Sequence, residues 1–229
     1  MFRFKRFVIE QELCGMKVGT DGVLLGAWAR GGDRILDVGT GTGVIALMMA
    51  QRFPYSRVTA IDIDEGAVRQ ATQNVQQSLY HDVVEVRHQS VQEYAALASQ
   101  RPELTACFDA IVSNPPFFID SLNAPDAQRN MARHADTLSY AELMQAAWQL
   151  LSDDGELSVV VPFDYRQRME DEATFMGFFP SRVCAVRTVE GKAARRYLLA
   201  FRKHPCEREF RVMTIGDADY RALTQEFYL

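Results

Sequence analysis

Short apolar runs alternate with longer amphipathic segments along most of the chain. Apolar runs of strand length, bounded by turn-forming residues, predict buried β-strands at 35–38, 58–62, 83–86, 108–113 and 156–161. Segments with helical periodicity predict helices at 44–50, 65–77, 140–151 and 165–176, and a short one just after Ser90. Strands that alternate with helices indicate a mostly parallel sheet covered on both faces, which is the doubly wound α/β architecture.

The C-terminal part of the chain departs from this alternation. Residues 153–155, Asp-Asp-Gly, predict a turn that closes the helix 140–151. Residues 183–188 and 197–202 predict an antiparallel pair of strands across a basic turn. The sheet is therefore expected to end in an antiparallel C-terminal edge strand.

The N-terminal part carries different signals. Residues 1–8 alternate apolar and basic side chains and predict a strand with one cationic face. Residues 23–29 predict a helix with Thr20 or Asp21 as its N-cap. Three phenylalanines in the first stretch can either stack on nucleic-acid bases or anchor the core, which is the commoner role of this residue. They are Phe2, Phe4 and Phe7.

Composition narrows the class of protein. The chain has 229 residues, 48% of them hydrophobic, which suits one α/β domain over 1–229 with a basic and aromatic N-terminal extension at 1–30. No apolar run approaches the length of a membrane span, and the N-terminus lacks a signal-peptide core. The four cysteines are scattered, without a C-x-x-C pair, which argues against a zinc site or a disulfide framework. We expect a cytoplasmic protein with no metal and no membrane partner, and favour a monomer.

Charge is distributed unevenly. The net charge of −5 argues against a surface that binds nucleic acids such as DNA non-specifically. The segment 182–204 is nevertheless strongly basic, as are Arg3, Lys5 and Arg6 near the N-terminus. Two basic segments on an acidic body can form one patch for a polyanion. Solvated faces of strands and loops are the alternative.

A glycine-rich turn follows the first buried strand. Its sequence, Asp37-Val-Gly39-Thr-Gly41-Thr-Gly43, lets the backbone approach a ligand at the positive N-terminus of the next helix. Dinucleotide enzymes instead use G-x-G-x-x-G, which disfavours a nicotinamide oxidoreductase, and Asp37 would repel an anion but hold a cation. Asp62 ends the next strand, where an acid binds ribose hydroxyls. S-adenosylmethionine, a nucleoside with a cationic amino-acid tail, fits both features; a glycine turn without a ligand is the alternative.

The sequence Asn114-Pro115-Pro116-Phe117 follows the strand 108–113. An amino group conjugated to a ring is a poor nucleophile, because its lone pair is delocalised. The side-chain oxygen of Asn114 and the carbonyl of Pro115 can accept its two hydrogens, and the prolines restrict the backbone. Phe117 can stack on the ring. A Pro-Pro pair that merely ends a strand is the alternative, but strand ends meet at one edge of a parallel sheet, which favours a shared crevice.

These motifs resemble those of class I S-adenosylmethionine-dependent methyltransferases, in particular the amino-methylating branch with its Asn-Pro-Pro-(Tyr/Phe) motif. Segments 2–28 and 221–229 look like those of the bacterial tRNA1(Val) adenine(37)-N6-methyltransferases. The resemblance implies a Rossmann-like sheet and methyl transfer from S-adenosylmethionine to the N6 amine of adenosine in tRNA, with S-adenosylhomocysteine as product. Family members often have Asp where Ser90 stands.

We therefore predict three sets of site residues. The catalytic set is Asn114, Pro115, Pro116 and Phe117. The cofactor set is Asp37, Gly39, Gly41, Gly43, Asp62, Ile63, Ser90, Val91, Asn114, Thr20 and Asp21. The RNA-binding set is Arg3, Lys5, Arg6, Lys17, Arg133, Lys192, Arg195 and Arg196.

Other functions stay open at this point. The same Asn-Pro-Pro chemistry serves N5-methylation of a protein glutamine, and a non-catalytic scaffold that binds the cofactor or RNA is a third possibility. The long segment 118–138 has no periodic pattern, so it is either a lid or substrate loop or a mobile surface excursion.

Overall fold

The computed structural model describes residues 1–116 and 138–228. Strands β1 and β2, Phe2–Arg3 and Val8–Ile9, form a separate antiparallel hairpin. One eight-stranded sheet contains β3 (Arg34–Val38), β4 (Arg57–Asp62), β5 (Val84–His88), β6 (Phe108–Ser113), β7 (Leu151–Pro162), β8 (Phe179–Arg187), β9 (Arg196–Arg202) and β10 (Glu209–Thr214). The α-helices are α1 (Thr20–Trp28), α2 (Val44–Arg52), α3 (Glu65–Gln76), α4 (Val91–Gln100), α5 (Tyr140–Leu150), α6 (Arg166–Phe175) and α7 (Ala218–Thr224).

The strand order in the large sheet is β10-β8-β9-β7-β6-β3-β4-β5. Only β9 runs antiparallel to its neighbours, β7 and β8. This confirms the mostly parallel, doubly wound sheet with its antiparallel strand towards the C-terminal side. Strand β10 had no counterpart in the sequence analysis; it pairs in parallel with β8 and forms the outermost position. Its exposed, weakly alternating side chains explain why the pattern was not recognised.

Hydrophobic side chains of the sheet pack in two core layers, one on each face of the sheet. Neighbouring residues of β3 illustrate the division, since Ile35 packs in one layer and Leu36 in the other. Helices α1 and α2 cover the first layer, and α4, α5 and α6 cover the second. Because parallel strands between such layers are buried on both faces, they read as continuous apolar runs. That is why β3, β4, β6 and β7 were predictable.

Three local predictions were wrong. Residues 1–8 do not form one strand: the amide of Phe4 donates to the carbonyl of Phe7 (3.0 Å), which turns the chain into a hairpin. Helix α1 begins at Thr20, and Gly19, with no side-chain hydrogen bond, occupies the N-cap. The predicted turn at 153–155 lies inside β7, where the register against β6 shifts between Phe108 and Ala110.

Candidate active site

A cavity of about 810 Å³ opens at the carboxyl edge of the sheet, where β3, β4 and β6 end. The strand order explains the position of the cavity. Strand β3 has β4 as its neighbour on one side and β6 on the other, so the order of the strands reverses at β3. Ligands of open α/β sheets bind at such a reversal in strand order. The cavity is lined by the glycine turn, the end of β4, the start of α4, the residues after β6 and the segment before α1.

The glycine turn is held by hydrogen bonds to β4. The amides of Gly39 and Thr40 donate to the carbonyl of Ile61 (2.9 and 3.0 Å), and the amide of Gly41 donates to Asp62 Oδ2 (2.8 Å). Gly39 and Gly41 have φ values of +70° and +55°, which L side chains rarely adopt. A β-carbon on either would meet no atom within 4 Å, so both positions face open space. Gly43 (φ +80°) is the N-cap of α2 and is buried against α3.

Asp37 lies beneath this turn, fully buried, and does not line the cavity. Its Oδ2 accepts hydrogen bonds from the Thr40 hydroxyl (2.6 Å) and the Ala46 amide (3.1 Å). Its Oδ1 is buried without a hydrogen-bond partner among the described residues. Burial raises the pKa of Asp37 to about 7, because desolvation penalises the carboxylate more than its two donors stabilise it. The site therefore contains an acid that a nearby cation would ionise.

The end of β4 presents Asp62 to the cavity. Its carboxylate is oriented by two backbone donors, the Gly41 amide on Oδ2 and the Asp64 amide on Oδ1 (2.9 Å). Next to it, Ile63 is half exposed and lines the cavity, and Val91 lines it from the start of α4. The oriented carboxylate of Asp62 can bind ribose hydroxyls. The aliphatic side chains of Ile63 and Val91 can pack against a flat nucleobase.

Ser90 lines the cavity, but its hydroxyl serves α4. The Glu93 amide donates to Ser90 Oγ (3.1 Å), and the Ser90 amide and hydroxyl both donate to Glu93 Oε2 (2.9 Å each). This reciprocal capping box was readable from the Ser-x-x-Glu spacing. The Ser90 carbonyl in turn accepts from the Tyr94 amide (3.0 Å), so the polar groups of Ser90 are all engaged within α4.

Asn114, Pro115 and Pro116 line the cavity directly after β6. The hydroxyl of Ser113 donates to the carbonyl of Val38 (2.9 Å), which fixes the end of β6 against β3. Asn114 Oδ1 is buried without a hydrogen-bond partner in the described part of the chain. Buried acceptors are nearly always satisfied, so this oxygen at the cavity wall could accept a hydrogen bond from a ligand. Phe117 lies outside the described residues, as does the rest of the segment up to 137.

One wall of the cavity was missed in the sequence. Residues 14–19, from Cys14 to Gly19, line it, and two amides of α3 hold the preceding chain in place. Asn74 Nδ2 donates to the carbonyls of Thr42 (2.8 Å) and Glu10 (2.9 Å), and its Oδ1 accepts from the Glu10 amide (2.9 Å). Gln70 Oε1 accepts from the Leu13 amide (3.0 Å). Two amide side chains on one face of α3 were the local signal, since their partners Glu10 and Leu13 lie 64 and 57 residues away in the sequence.

The structure does not bring every predicted cofactor and RNA residue to the cavity. Thr20 and Asp21 do not line it, and Asp21 instead forms an ion pair with Arg196. Lys17, predicted to bind RNA, belongs to the cavity wall. Lys192 and Arg195 are exposed in the turn between β8 and β9, at the same carboxyl edge.

The N-terminal basic residues lie in the β1–β2 hairpin. The amide of Lys5 donates to the Phe227 carbonyl (2.9 Å) and its ammonium to the Gln225 carbonyl, so the hairpin is tied to the C-terminal tail. Phe4 and Phe7 are buried in the core, which settles the alternative for these two rings. Arg3 and Arg6 are exposed, and Arg133 lies outside the described residues.

The basic run 182–204 is divided by the sheet. Strands β8 and β9 are antiparallel, so Arg182 and Arg202 lie at the amino edge, opposite the cavity, where both bind the buried Glu156. The turn 188–195 lies at the carboxyl edge. The run is therefore not one patch, and its two halves have different surroundings.

Two searches concern other classes of site. Among residues 1–116 and 138–228, no helix is long and apolar enough to cross a membrane. Within the same ranges, no group of three or more His, Cys, Asp or Glu side chains is placed to hold a metal ion.

Comparisons with known proteins agree with this geometry. Residues 19–176 match the family model described as methyltransferase small domain. Proteins named tRNA1(Val) (adenine(37)-N6)-methyltransferase are similar over the whole chain: that of Bacteroides thetaiotaomicron is 42% identical and that of Trichodesmium erythraeum 40%, each covering 100% of this chain and 97% of its own length. A solved structure titled a predicted O-methyltransferase, from Agrobacterium tumefaciens, superposes with a TM-score of 0.70 at 17% identity, over 90% of this chain and 96% of that chain. The last likeness concerns the fold.

Proposed function

The chain belongs to the methyltransferase small domain family and to the group of tRNA1(Val) (adenine(37)-N6)-methyltransferases, and on this premise we propose that it methylates the N6 amine of adenosine in tRNA, at position 37 of tRNA1(Val). The methyl donor is S-adenosylmethionine. Full-length identities of about two residues in five support the reaction, and the residues at the carboxyl edge support the way it is carried out.

The observation that carries the mechanism is the buried, unpartnered Oδ1 of Asn114 in the cavity wall. This oxygen accepts one hydrogen of the adenine N6 amine, and the Pro115 carbonyl accepts the other. Two acceptors in fixed positions would draw the amine hydrogens out of the base plane to one side, which reduces delocalisation of the nitrogen lone pair into the ring and directs it to the opposite side, towards the methyl donor. Asn114 is not a base, so the proton leaves to water after transfer. Most of the rate then comes from positioning.

The residues around the cavity fit the methyl donor. The open space over Gly39 and Gly41 accommodates its amino-acid end, Asp62 binds the ribose hydroxyls, and Ile63 and Val91 contact the adenine. Asp37 supplies negative charge beneath the glycine turn. When bound, S-adenosylmethionine supplies a methyl group on a sulfonium, which is an excellent leaving group.

The target adenosine has to leave its stack to reach Asn114. Enzymes that act on a base either extrude it from a helix or take it from a single strand, and a tRNA anticodon loop offers the second route. A cytoplasmic location, where tRNA is available, stays a prediction.

The test is transfer of labelled methyl from S-adenosylmethionine to total RNA from cells that lack N6-methylation at this position, followed by nucleoside analysis. The expected product is N6-methyladenosine in one tRNA, and RNase removes the label. Label in protein that survives RNase would contradict the proposal and favour glutamine methylation. Binding of the donor with no label in either fraction would indicate a scaffold.

A further inference from the structure

An exposed aromatic ring lies one strand away from the proposed catalytic residues. Phe163 follows β7 and is 52% exposed. Strand β7 pairs with β6, which carries Asn114 at its end, and adjacent strands lie about 4.8 Å apart. Both strands end at the carboxyl edge, so Phe163 lies at the same edge of the sheet as the cavity, one strand beyond Asn114, without lining the cavity itself.

The backbone that carries the ring of Phe163 is fixed by hydrogen bonds. It belongs to a single 3-10 turn, Phe163–Tyr165, whose first amide donates to the Arg195 carbonyl (3.0 Å), while the Arg195 amide donates to the Val186 carbonyl (2.9 Å). The ring centroid lies 6.2 Å from that of the buried Tyr197. These backbone hydrogen bonds limit the movement of the half-exposed phenylalanine. It presents a flat apolar face to solvent at low conformational cost.

The side chains beside this ring carry both charges, with cations in excess. The turn 188–195 contributes the exposed Lys192 and Arg195 and the exposed acid Glu190, and Asp164 follows Phe163. Arg187, half-buried at the end of β8, adds a further cation. The three basic side chains outnumber the two acidic ones around the ring. This arrangement complements a nucleotide, because the ring can stack on the nucleobase and the cations can contact the anionic phosphates.

We propose that Phe163 is a stacking platform for an unstacked nucleotide of the tRNA that flanks the target adenosine, with Arg195 and Lys192 contacting its phosphates. The inference rests on the proposed function and names how the same site holds its substrate. Single-stranded loops are recognised in this way, by stacking of splayed bases on aromatic side chains.

The test compares Phe163→Ala with Phe175→Ala, a matched control. Phe175 ends α6, which returns from the carboxyl edge to the amino edge, and it is 87% exposed. Stacking of one base contributes enough that removing the ring should raise KM for tRNA about tenfold. Phe163→Trp should restore the wild-type KM, while affinity for S-adenosylmethionine stays unchanged in all three variants. Phe175→Ala should behave as the wild type.

A second measurement separates charge from stacking. Arg195→Ala should weaken tRNA binding and reduce the slope of log Kd against log salt by about 0.7, the single-strand value for one phosphate contact, whereas Phe163→Ala should leave that slope unchanged. If the wild type methylates tRNA and Phe163→Ala shows the same KM as Phe175→Ala, this inference is overturned and the proposed function stands. If the wild type methylates a protein instead, both are overturned.

Discussion

Two buried carboxylates, at opposite edges of the same sheet, differ in how far the protein satisfies them. Glu156, near the amino edge, accepts hydrogen bonds from Arg182 Nε and Arg202 Nε (3.2 Å each) and from Ser181 Oγ (3.1 Å). Asp37, at the carboxyl edge, has no cationic partner among the described residues, and one of its oxygens has no donor. Glu156 and Asp37 are 2% and 0% exposed, so burial does not distinguish them.

The role of a buried carboxylate depends on whether the protein supplies its cationic partners. A carboxylate ringed by guanidinium groups is complete and holds the fold together. A carboxylate without a cationic partner among the described residues, next to a cavity with a second unpartnered oxygen on Asn114, is where we expect a ligand to bind. We therefore expect the amino edge to stabilise the fold and the carboxyl edge to carry the reaction. Four experiments test this contrast between the two edges.

The largest effect is expected at Asn114. Replacement by Ala removes an acceptor aimed at the reacting amine, and loss of one preorganised group of this kind lowers kcat by about 10²–10³-fold. Single-turnover methyl transfer to tRNA measures it. Affinity for S-adenosylmethionine, measured by calorimetry, should change by less than about tenfold, because most of its contacts lie elsewhere. A variant with full activity would refute the mechanism.

The second effect concerns stability at the amino edge. Glu156→Gln leaves Arg182 and Arg202 without their carboxylate, which should lower the free energy of unfolding by about 3 kcal/mol. For a chain of this size, that corresponds to a fall in Tm of roughly 6–12 °C. Activity of the folded variant at low temperature should be retained. The control is Asp153→Asn on the same strand, whose carboxylate pairs with Lys203 but is exposed, so its loss should cost under about 0.5 kcal/mol. Equal Tm values for the two variants would refute the contrast.

The third effect is a pH dependence of cofactor binding. Burial raises the pKa of Asp37 to about 7, so its ionised form is present above that pH and lost below it. If a cationic ligand binds the ionised form, affinity should rise about eightfold between pH 6.0 and 7.5, or about 1.2 kcal/mol. The range ends below the pKa of an α-amino group, about 7.7–8.0. Asp37→Asn should bind more weakly and show a flat profile; an equally steep profile in this variant would assign the titration to another group.

The smallest effect is expected at Ser158, in the middle of β7. Its hydroxyl is also buried without a partner among the described residues, but it does not line the cavity. Ser158→Ala should not lower the free energy of unfolding by more than about 0.5 kcal/mol, because the hydroxyl has no hydrogen bond to lose. It should leave kcat unchanged, because Ser158 does not line the cavity. Denaturant unfolding and the tRNA assay measure both. A large loss of activity would mean that unpartnered oxygens alone, without a cavity, mark function here.

The reactive edge was largely predictable, and the structural edge was not. Asp37, Asp62 and Asn114 each lie at, or next to, the last residue of a strand that its own apolar run reveals, and parallel pairing brings strand ends together without further information. The Glu156 cluster joins side chains from β7, β8 and β9, which meet only once the register is known.

Strand register also decides the fate of the basic run 182–204. The run looks continuous in sequence, but antiparallel pairing of β8 and β9 sends Arg182 and Arg195 to opposite edges. Ser90 stays a predicted ligand contact: it lines the cavity, but its hydroxyl donates to its local partner Glu93. A side chain that caps a helix and a side chain that binds a ligand can both lie just after a strand. Only the hydrogen bonds in the structure distinguish the two roles.

The wall formed by residues 14–19 bears on how the protein is divided into modules. The family match begins at residue 19, yet Cys14 to Val18 close one side of the cavity, anchored by Asn74 and Gln70. The family model therefore covers fewer residues than those that form the cavity. A fragment trimmed to the matched residues, or a chimera joined at residue 19, would keep the glycine turn and the Asn-Pro-Pro sequence and still lack one wall of the cavity. A segment outside a family model can be the component that completes a pocket on a shared scaffold.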